Sequence, residues 1–175
     1  HHQWDDGFFK SRTEPTALTM GEYSYKMIRS ANFYEYAKNK LSEHNNIEWI
    51  QDEIITIENN LCQGREKSYT ADLVFDSRVS PDFLKDTKHI FIKQPFKGWL
   101  IKTEEEVFNP KQFTMMDFSL GYEKLCCFTY VLPTSTTEAL VEFTFFIPDL
   151  VPDDVYNQLL NKYIAEHLGI TKYSI

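Results

Sequence analysis

One acid interrupts a strongly apolar part of the chain. The stretch Cys126–Ile147 contains two runs rich in β-branched and aromatic residues, separated by Pro133 and four hydroxyl-bearing residues. Two such runs around a short polar turn predict a β-hairpin. Glu142 lies in the middle of the second run, and because side chains alternate along a strand, it shares a face with Leu140 and Thr144.

The flanking residues of Glu142 are apolar on both faces of the predicted strand. A carboxylate in such surroundings is costly unless it is paired, hydrogen-bonded or protonated. Two interpretations follow. Glu142 is either an edge-strand carboxylate that reaches water, or an acid or charge stabiliser in an apolar pocket.

Asp117 is a second acid in an apolar context, between Met116 and Phe118 on a predicted strand over 113–119. It is either a polar residue at a turn or a strand pair, or a partner of Glu142. If both acids open into one apolar cavity, their environments can push their pKa values apart and create an acid/base pair.

Charged residues at the boundaries of predicted elements are candidates for binding a ligand, and Arg29 is a candidate for binding an anion. Arg29 lies between a predicted strand over 23–28 and a predicted helix over 31–43, where a guanidinium and free backbone N–H groups converge. Asp76 and Arg78 end a predicted strand over 69–75, a position at which α/β sheets place ligands. The alternatives are a solvated arginine and a simple turn.

The composition limits the function classes. The chain has 175 residues, 42% of them hydrophobic, enough for a core. A net charge of −8 argues against nucleic-acid binding. The five histidines lack metal-ligand spacing, and no glycine-rich phosphate loop is present. No apolar run reaches the roughly 18 residues of a membrane span, and we expect a cytoplasmic location.

The pattern predicts an α+β (α/β) fold in two parts. Residues 1–79 combine a helix with strands, although residues 3–19 are expected to be irregular, and residues 80–175 form a mixed β-sheet with one long helix over 152–168. The boundary is predicted between Ser80 and Asp86. Over 83–102, lysines alternate with aromatic residues, which is typical either of amphipathic strands or of a surface that meets anionic lipid.

Several segments together resemble the flavin-dependent lycopene cyclases. They are Tyr25–Tyr34, Ala71–Arg78, Gln94–Trp99, Val107–Phe108, Met116–Phe118, Tyr130–Pro133 and Ala139–Thr144. The resemblance implies part of an FAD-binding Rossmann-like domain followed by a mixed-sheet substrate domain. It also implies that the ends of lycopene are closed into rings without net redox change. The implied cofactor is reduced FAD, with NAD(P)H as the reductant of the flavin.

The resemblance assigns roles to individual residues. It implies catalytic roles for Glu142 and Asp117, and FAD contacts at Arg29, Asp76 and Arg78. The residues implied in substrate binding are Phe143, Thr144, Trp99 and Met116. Leu140–Thr144 matches the family motif Phe-Leu-Glu-Glu-Thr at Glu142 and Thr144, whereas Phe143 replaces the second acid.

The family's glycine-rich nucleotide motif is expected before His1, so the resemblance implies the middle of a longer enzyme that by itself binds no FAD. A hydrophobic polyene and a peripheral membrane contact are the implied partners. Two other functions stay open: a related flavin-dependent monooxygenase or isoprenoid reductase, and a non-catalytic module that binds apolar ligands.

Overall fold

The computed structural model describes residues 2–11, 13–79, 82–85 and 87–175. They form two compact units. The first, here called the sheet unit, contains the residues up to Arg29 together with Phe91–Ile175. The second, the insert unit, is Ser30–Ile90.

Eleven strands, two α-helices and one 3₁₀ turn follow one another along the described residues. They are β1 (His2–Trp4), β2 (Asp6–Lys10), β3 (Pro15–Leu18), β4 (Tyr25–Met27), α1 (Ser30–Ser42), β5 (Ile54–Glu58), β6 (Leu61–Gly64), β7 (Ser68–Thr70), a 3₁₀ turn (Phe83–Lys85), β8 (Phe96–Lys102), β9 (Gln112–Asp117), β10 (Cys126–Pro133), β11 (Glu138–Phe146) and α2 (Asp153–Glu166).

A six-stranded sheet in the order β3-β2-β9-β10-β11-β8 dominates the sheet unit. The β2–β9 pair is parallel and the other pairs are antiparallel, so the sheet is mixed. Strands β10 and β11 form the predicted hairpin, with Thr134 N–H donating to Glu138 O across the turn at 2.8 Å. In the same unit, β1 and β4 pair as a separate two-stranded sheet.

Helix α2 covers one face of this sheet. It begins after Pro152 with acids in its first turn and ends before Gly169, whose φ of 69° is favoured by glycine. Its buried side chains include Tyr163 and Ile164, and they pack against the apolar side chains of β8 and β11. We call this side the helix face and define it by Ile101, Val141, Phe143 and Phe145, all fully buried.

The opposite side of the sheet carries the alternate residues of the same strands. We call it the glutamate face and define it by Gly98, Tyr130, Leu140 and Glu142, which the strand register places side by side. A second apolar cluster built on Trp4, Phe113 and Leu132 packs against part of it. The Trp4 indole N–H donates to Pro133 O at 2.8 Å, which fixes β1 over this end of the sheet.

The insert unit has its own small sheet, in which β5, β6 and β7 pair antiparallel. Asn59 turns the chain between β5 and β6 with a φ of 53°, in the left-handed region that asparagine tolerates. Asp52 supports the neighbouring loop, because its carboxylate accepts hydrogen bonds from Tyr69 Oη at 2.8 Å and from the Arg65 backbone N–H at 3.1 Å. Within the described residues, no helix is long and apolar enough to span a bilayer.

The structure confirms a mixed α+β fold, while the Rossmann-like assignment stays a prediction. Both predicted helices are present, at Ser30–Ser42 and Asp153–Glu166, and so is the hairpin. The expectation of irregular structure over 3–19 was wrong: β1, β2 and β3 lie there. Pro15 excludes a helix but is tolerated here because β3 is an edge strand.

The division of the chain differs from the predicted one. The prediction grouped residues 1–79, whereas the structure places the segment before Ser30 in the sheet unit, because β2 pairs with β9. The sheet unit resumes at Phe91. Part of the predicted boundary, including Ser80, Pro81 and Asp86, lies outside the described residues.

Candidate functional site

Glu142 occupies the middle of the glutamate face on β11. Tyr130 lies opposite it on β10 and Gly98 opposite it on β8. The side chain is half-buried, and its Oε1 accepts a hydrogen bond from Thr144 Oγ1 at 3.2 Å. No ion pair with a basic group involves Glu142 within the described part of the chain.

Burial raises the pKa of the Glu142 carboxyl, and the hydrogen bond from Thr144 offsets only part of that effect. A carboxyl group in this setting holds its proton to a higher pH than one in water. Such a group is suited to general-acid chemistry, because its neutral form is present closer to physiological pH.

Apolar side chains surround this carboxyl group. On β8, Phe96 is 62% exposed and Leu100 is 43% exposed, and both lie on the glutamate face beside Gly98. Phe146 extends the same face and contacts Phe128, with the ring centroids 5.7 Å apart. This arrangement offers an apolar ligand a flat surface around one acid.

Asp117 lies on the helix face, in fully buried surroundings. Its Oδ2 accepts a hydrogen bond from Tyr163 Oη of α2 at 2.6 Å, and its Oδ1 accepts one from the Ser119 backbone N–H at 2.9 Å. Lys10 Nζ lies 3.4 Å from Oδ2, and the hydroxyl of Ser119 bonds both this carboxylate and His167 Nδ1.

These contacts make Asp117 a satisfied, ionised group. Burial raises the pKa of its carboxyl, but the hydrogen bonds from Ser119 and Tyr163 and the charge of Lys10 outweigh burial and leave the pKa below its usual value. The register places Asp117 and Glu142 on opposite faces of the sheet. They therefore do not open into one cavity, and the condition on which an acid/base pair was predicted from the sequence is not met.

The four predicted substrate contacts divide between the two faces. Thr144 lies beside Glu142 on the glutamate face. Met116 pairs across the strands with Phe9, and the Phe9 ring contacts Phe118 on the same face. Phe143 and Trp99 belong to the helix face, where Phe143 is fully buried. An acid at position 143 would point into the core beneath α2. In this chain, the position of the family's second glutamate is therefore on the opposite face of the sheet from Glu142.

The predicted cofactor contacts lie in different units. Arg29 belongs to the sheet unit, where its Nη2 lies 3.4 Å from Glu138 Oε1. Asp76 and Arg78 lie together in the insert unit and line an open cleft of about 400 Å³. Arg78 donates to Asp76 Oδ1 at 2.9 Å and to Ile54 O at 2.7 Å.

Comparison with known protein families decides the class of this chain. The family model described as Lycopene cyclase protein matches residues 1–175. The chain belongs to the lycopene cyclase family. No curated protein and no solved structure matches it. Membership of this family implies a carotenoid polyene as substrate, and the exposed apolar side chains around Glu142 fit such a molecule.

In this lycopene cyclase family member, the two arginines predicted to contact FAD already have partners within the chain. The guanidinium of Arg78 is already bonded to Asp76 and to a backbone carbonyl, and Arg29 is paired with Glu138. The sequence has no glycine-rich loop that would bind a pyrophosphate. We therefore derive no chemical step through a flavin.

The sequence patterns missed the neighbours that other strands and helices bring to both acids. Gly98 and Tyr130 became neighbours of Glu142 only through the register of β8 and β10. Lys10 and Tyr163 meet Asp117 although they are far from it in sequence. The alternation of side chains on β11 was a usable signal only for the neighbours on the same strand, Leu140 and Thr144.

Proposed function

We propose that this chain carries the acid-bearing substrate face of a lycopene cyclase. The end of the linear polyene lies on the glutamate face, and the Glu142 carboxyl group initiates ring closure. The observation that supports this proposal is a half-buried carboxyl group with a raised pKa, bonded to Thr144 and surrounded by exposed apolar side chains.

The reaction is an isomerisation. The Glu142 carboxyl donates a proton to the terminal double bond, which leaves a tertiary carbocation. A neighbouring double bond attacks this cation, so that one carbon–carbon bond closes the ring and the positive charge moves to a ring carbon. Loss of a proton from an adjacent carbon restores the double bond, so one proton enters, one leaves, and no electrons are exchanged.

The surroundings of Glu142 favour the cationic intermediates. After proton transfer, the carboxylate of Glu142 stabilises the positive charge more strongly in an apolar site than in water. Tyr130 lies directly across the strand pair, and Phe128 contacts it edge-on at 5.2 Å between ring centroids. Aromatic rings stabilise nearby cations through their π faces and do not add to them as water does.

Three parts of the proposal rest on the family resemblance. The complete protein is proposed to use reduced FAD, with NAD(P)H as its reductant, and to contact the membrane that holds its substrate. A catalytic role for Asp117 stays a prediction, since its contacts account for a structural role. One of the interleaved lysines, Lys97, forms an ion pair with the exposed Asp153 at 2.7 Å.

The experiment uses the complete open reading frame expressed in a lycopene-accumulating bacterium. Glu142→Gln keeps the shape of the side chain but removes its acidity, and we expect cyclic product to fall at least about 100-fold. The matched control is Glu138→Gln, an acid on the same strand and face. Equal amounts of cyclic product from Glu142→Gln and the unmodified protein would remove Glu142 from the mechanism.

Redox stoichiometry separates this proposal from a related monooxygenase or reductase. A cyclase consumes no NAD(P)H in proportion to product, whereas a net redox enzyme oxidises one equivalent in each turnover. A non-catalytic module that binds apolar ligands would return the polyene unchanged.

A further inference from the structure

Thr144 is a fully buried threonine on the same strand and face as Glu142. Its hydroxyl oxygen lies 3.2 Å from Glu142 Oε1. Buried hydroxyl groups are hydrogen-bonded as a rule, and Glu142 Oε1 is the acceptor that the described part of the chain offers to this one. Thr144 is therefore the donor in this pair, both when the carboxyl group is neutral and when it is ionised.

The bond from Thr144 makes the two oxygens of Glu142 unequal. Because Oε1 accepts this bond, the acidic proton of the neutral carboxyl group lies on Oε2. Within the described residues, Oε2 has no hydrogen-bond partner, yet the buried side-chain polar atoms without a partner are Thr129 Oγ1 and Tyr156 Oη. Oε2 is therefore not sealed in the core and reaches the surface of the glutamate face.

The neighbouring strands present uncharged groups to Glu142. Tyr130 of β10 lies directly opposite it, and burial raises the pKa of the Tyr130 phenol. Tyr25 of β4 packs against the same apolar cluster as Tyr130, and Gly98 of β8 has no side chain. Phenols are neutral near pH 7, so neither tyrosine forms an ion pair with the Glu142 carboxylate.

Charged groups on the same face lie farther along the strands. Glu138 lies at the start of β11, where it pairs with Arg29, and Lys102 lies opposite it on β8. Burial has the largest influence on the pKa of Glu142 and raises it, whereas the bond from Thr144 lowers it. Thr144 is therefore the group that favours the ionised form of this carboxyl.

We propose that Thr144 is a positioning residue for the proton transfer, because its hydroxyl holds Glu142 Oε1 and leaves Oε2 to deliver the proton. This inference rests on the proposed function. A hydrogen bond to a charged oxygen is stronger than one to a neutral oxygen, so the bond from Thr144 strengthens as the proton leaves Oε2. Since Thr144 is fully buried, it acts on the substrate through Glu142.

The test compares Thr144→Val with the unmodified complete protein in lycopene cyclisation. Valine keeps the shape of the side chain but cannot donate to Oε1. We expect kcat on the acidic plateau to fall about tenfold, because the new carboxylate loses a charge-assisted bond. The basic limb of the pH profile of kcat should move up by about one pH unit. KM should stay within about twofold, since no substrate contact is removed.

Two further variants separate this role from a packing effect. Thr144→Ser keeps the donor and should restore both kcat and the pH profile. Thr129→Val is the matched control, because Thr129 is an equally buried threonine on the neighbouring strand whose hydroxyl has no partner within the described residues. It should leave the basic limb in place. If Thr144→Val does not fold, Thr144→Ala removes the same donor without placing a methyl group near Oε1, and it carries the same expectation.

Infrared spectroscopy gives a readout that does not depend on turnover. The C=O stretch of the neutral Glu142 carboxyl, identified by its loss in Glu142→Gln, should move to higher frequency in Thr144→Val and stay in place in Thr144→Ser. An unmoved basic limb, a raised KM with unchanged kcat, or an equal shift in Thr129→Val would each overturn the inference. Failure of the proposed function is distinguishable, because it appears as undiminished cyclisation by Glu142→Gln.

Discussion

At the scale of single residues, the two acids of the sheet unit differ in what surrounds them. Glu142 has one hydrogen-bond donor, Thr144, and apolar neighbours, and burial raises its pKa. Asp117 has donors at both oxygens and the ammonium group of Lys10 nearby, and its pKa is lowered. The pKa shifts of these two carboxyl groups are opposite, so Glu142 keeps its proton to a higher pH than an ordinary glutamate and Asp117 stays ionised to a lower pH than an ordinary aspartate.

The raised pKa of Glu142 predicts how its removal changes stability. A carboxyl group whose pKa is higher in the folded state stabilises the fold below its unfolded pKa of about 4.3, and this contribution is lost as pH rises through the folded value. The variant Glu142→Gln lacks the titrating carboxyl group, so its stability does not include this pH-dependent contribution. We therefore expect Glu142→Gln to gain stability relative to the unmodified protein as pH rises from 4 to 8.

Urea unfolding at a series of pH values measures this difference. The control is Glu138→Gln, because Glu138 accepts a hydrogen bond from Thr134 and pairs with Arg29. A pH dependence that Glu138→Gln shares with Glu142→Gln would not be specific to Glu142. A difference between Glu142→Gln and the unmodified protein that stays constant or shrinks with rising pH would show that Glu142 has no raised pKa.

At the scale of elements, strand β11 contributes to both the glutamate face and the helix face of the sheet. The side chains of β11 alternate between the two faces, so Val141, Phe143 and Phe145 pack beneath α2. Glu142 and Thr144 lie on the opposite face. Asp117 then ties α2 to the sheet through Tyr163. We interpret this contact as an anchor that holds α2 against the sheet.

The anchor predicts a large loss of stability for Asp117→Asn. Removing a buried carboxylate that accepts several hydrogen bonds and faces an ammonium group costs about 2 to 4 kcal/mol at neutral pH. Since the folded pKa is lowered, the stabilisation by Asp117 is present above the unfolded pKa of about 3.9 and is lost as pH falls through the folded value. The deficit of Asp117→Asn should therefore shrink in acid.

Chemical denaturation at pH 7 and near pH 3 measures the deficit. Asp154→Asn is the control, because Asp154 is an exposed acid in the first turn of α2. It should cost less than about 1 kcal/mol. A similarly small loss for Asp117→Asn at pH 7 would contradict the anchor.

At the scale of the whole molecule, the parts predicted from sequence are those set by local pattern. The hairpin around Pro133 and the helix after Pro152 follow from periodicity and turn residues that lie close together in the chain. Strand β2 was missed although it joins the main sheet, because its partner β9 lies far away in sequence. Long-range pairing also decides the site, since Gly98 and Tyr130 meet Glu142 only across neighbouring strands.

Flavin binding tests how the two units relate to the cofactor of the family. The arginines implied in FAD binding are engaged in ion pairs within their own units. We therefore expect a chain of residues 1–175 to show no stoichiometric binding when FAD is titrated and followed by flavin fluorescence. Tight one-to-one binding would show that the described residues, with Arg29 and Arg78 released from their partners, suffice for a flavin site.

Cyclisation in deuterium oxide tests the central claim most directly, namely that the Glu142 carboxyl group delivers the proton that starts ring closure. Carboxyl protons exchange with solvent, so purified complete protein given lycopene in D₂O should form product with one deuterium per ring, detected by mass spectrometry. Glu142→Gln should slow this incorporation at least about 100-fold, and Glu138→Gln should leave it unchanged. Deuterated product formed by Glu142→Gln at the original rate would contradict the account.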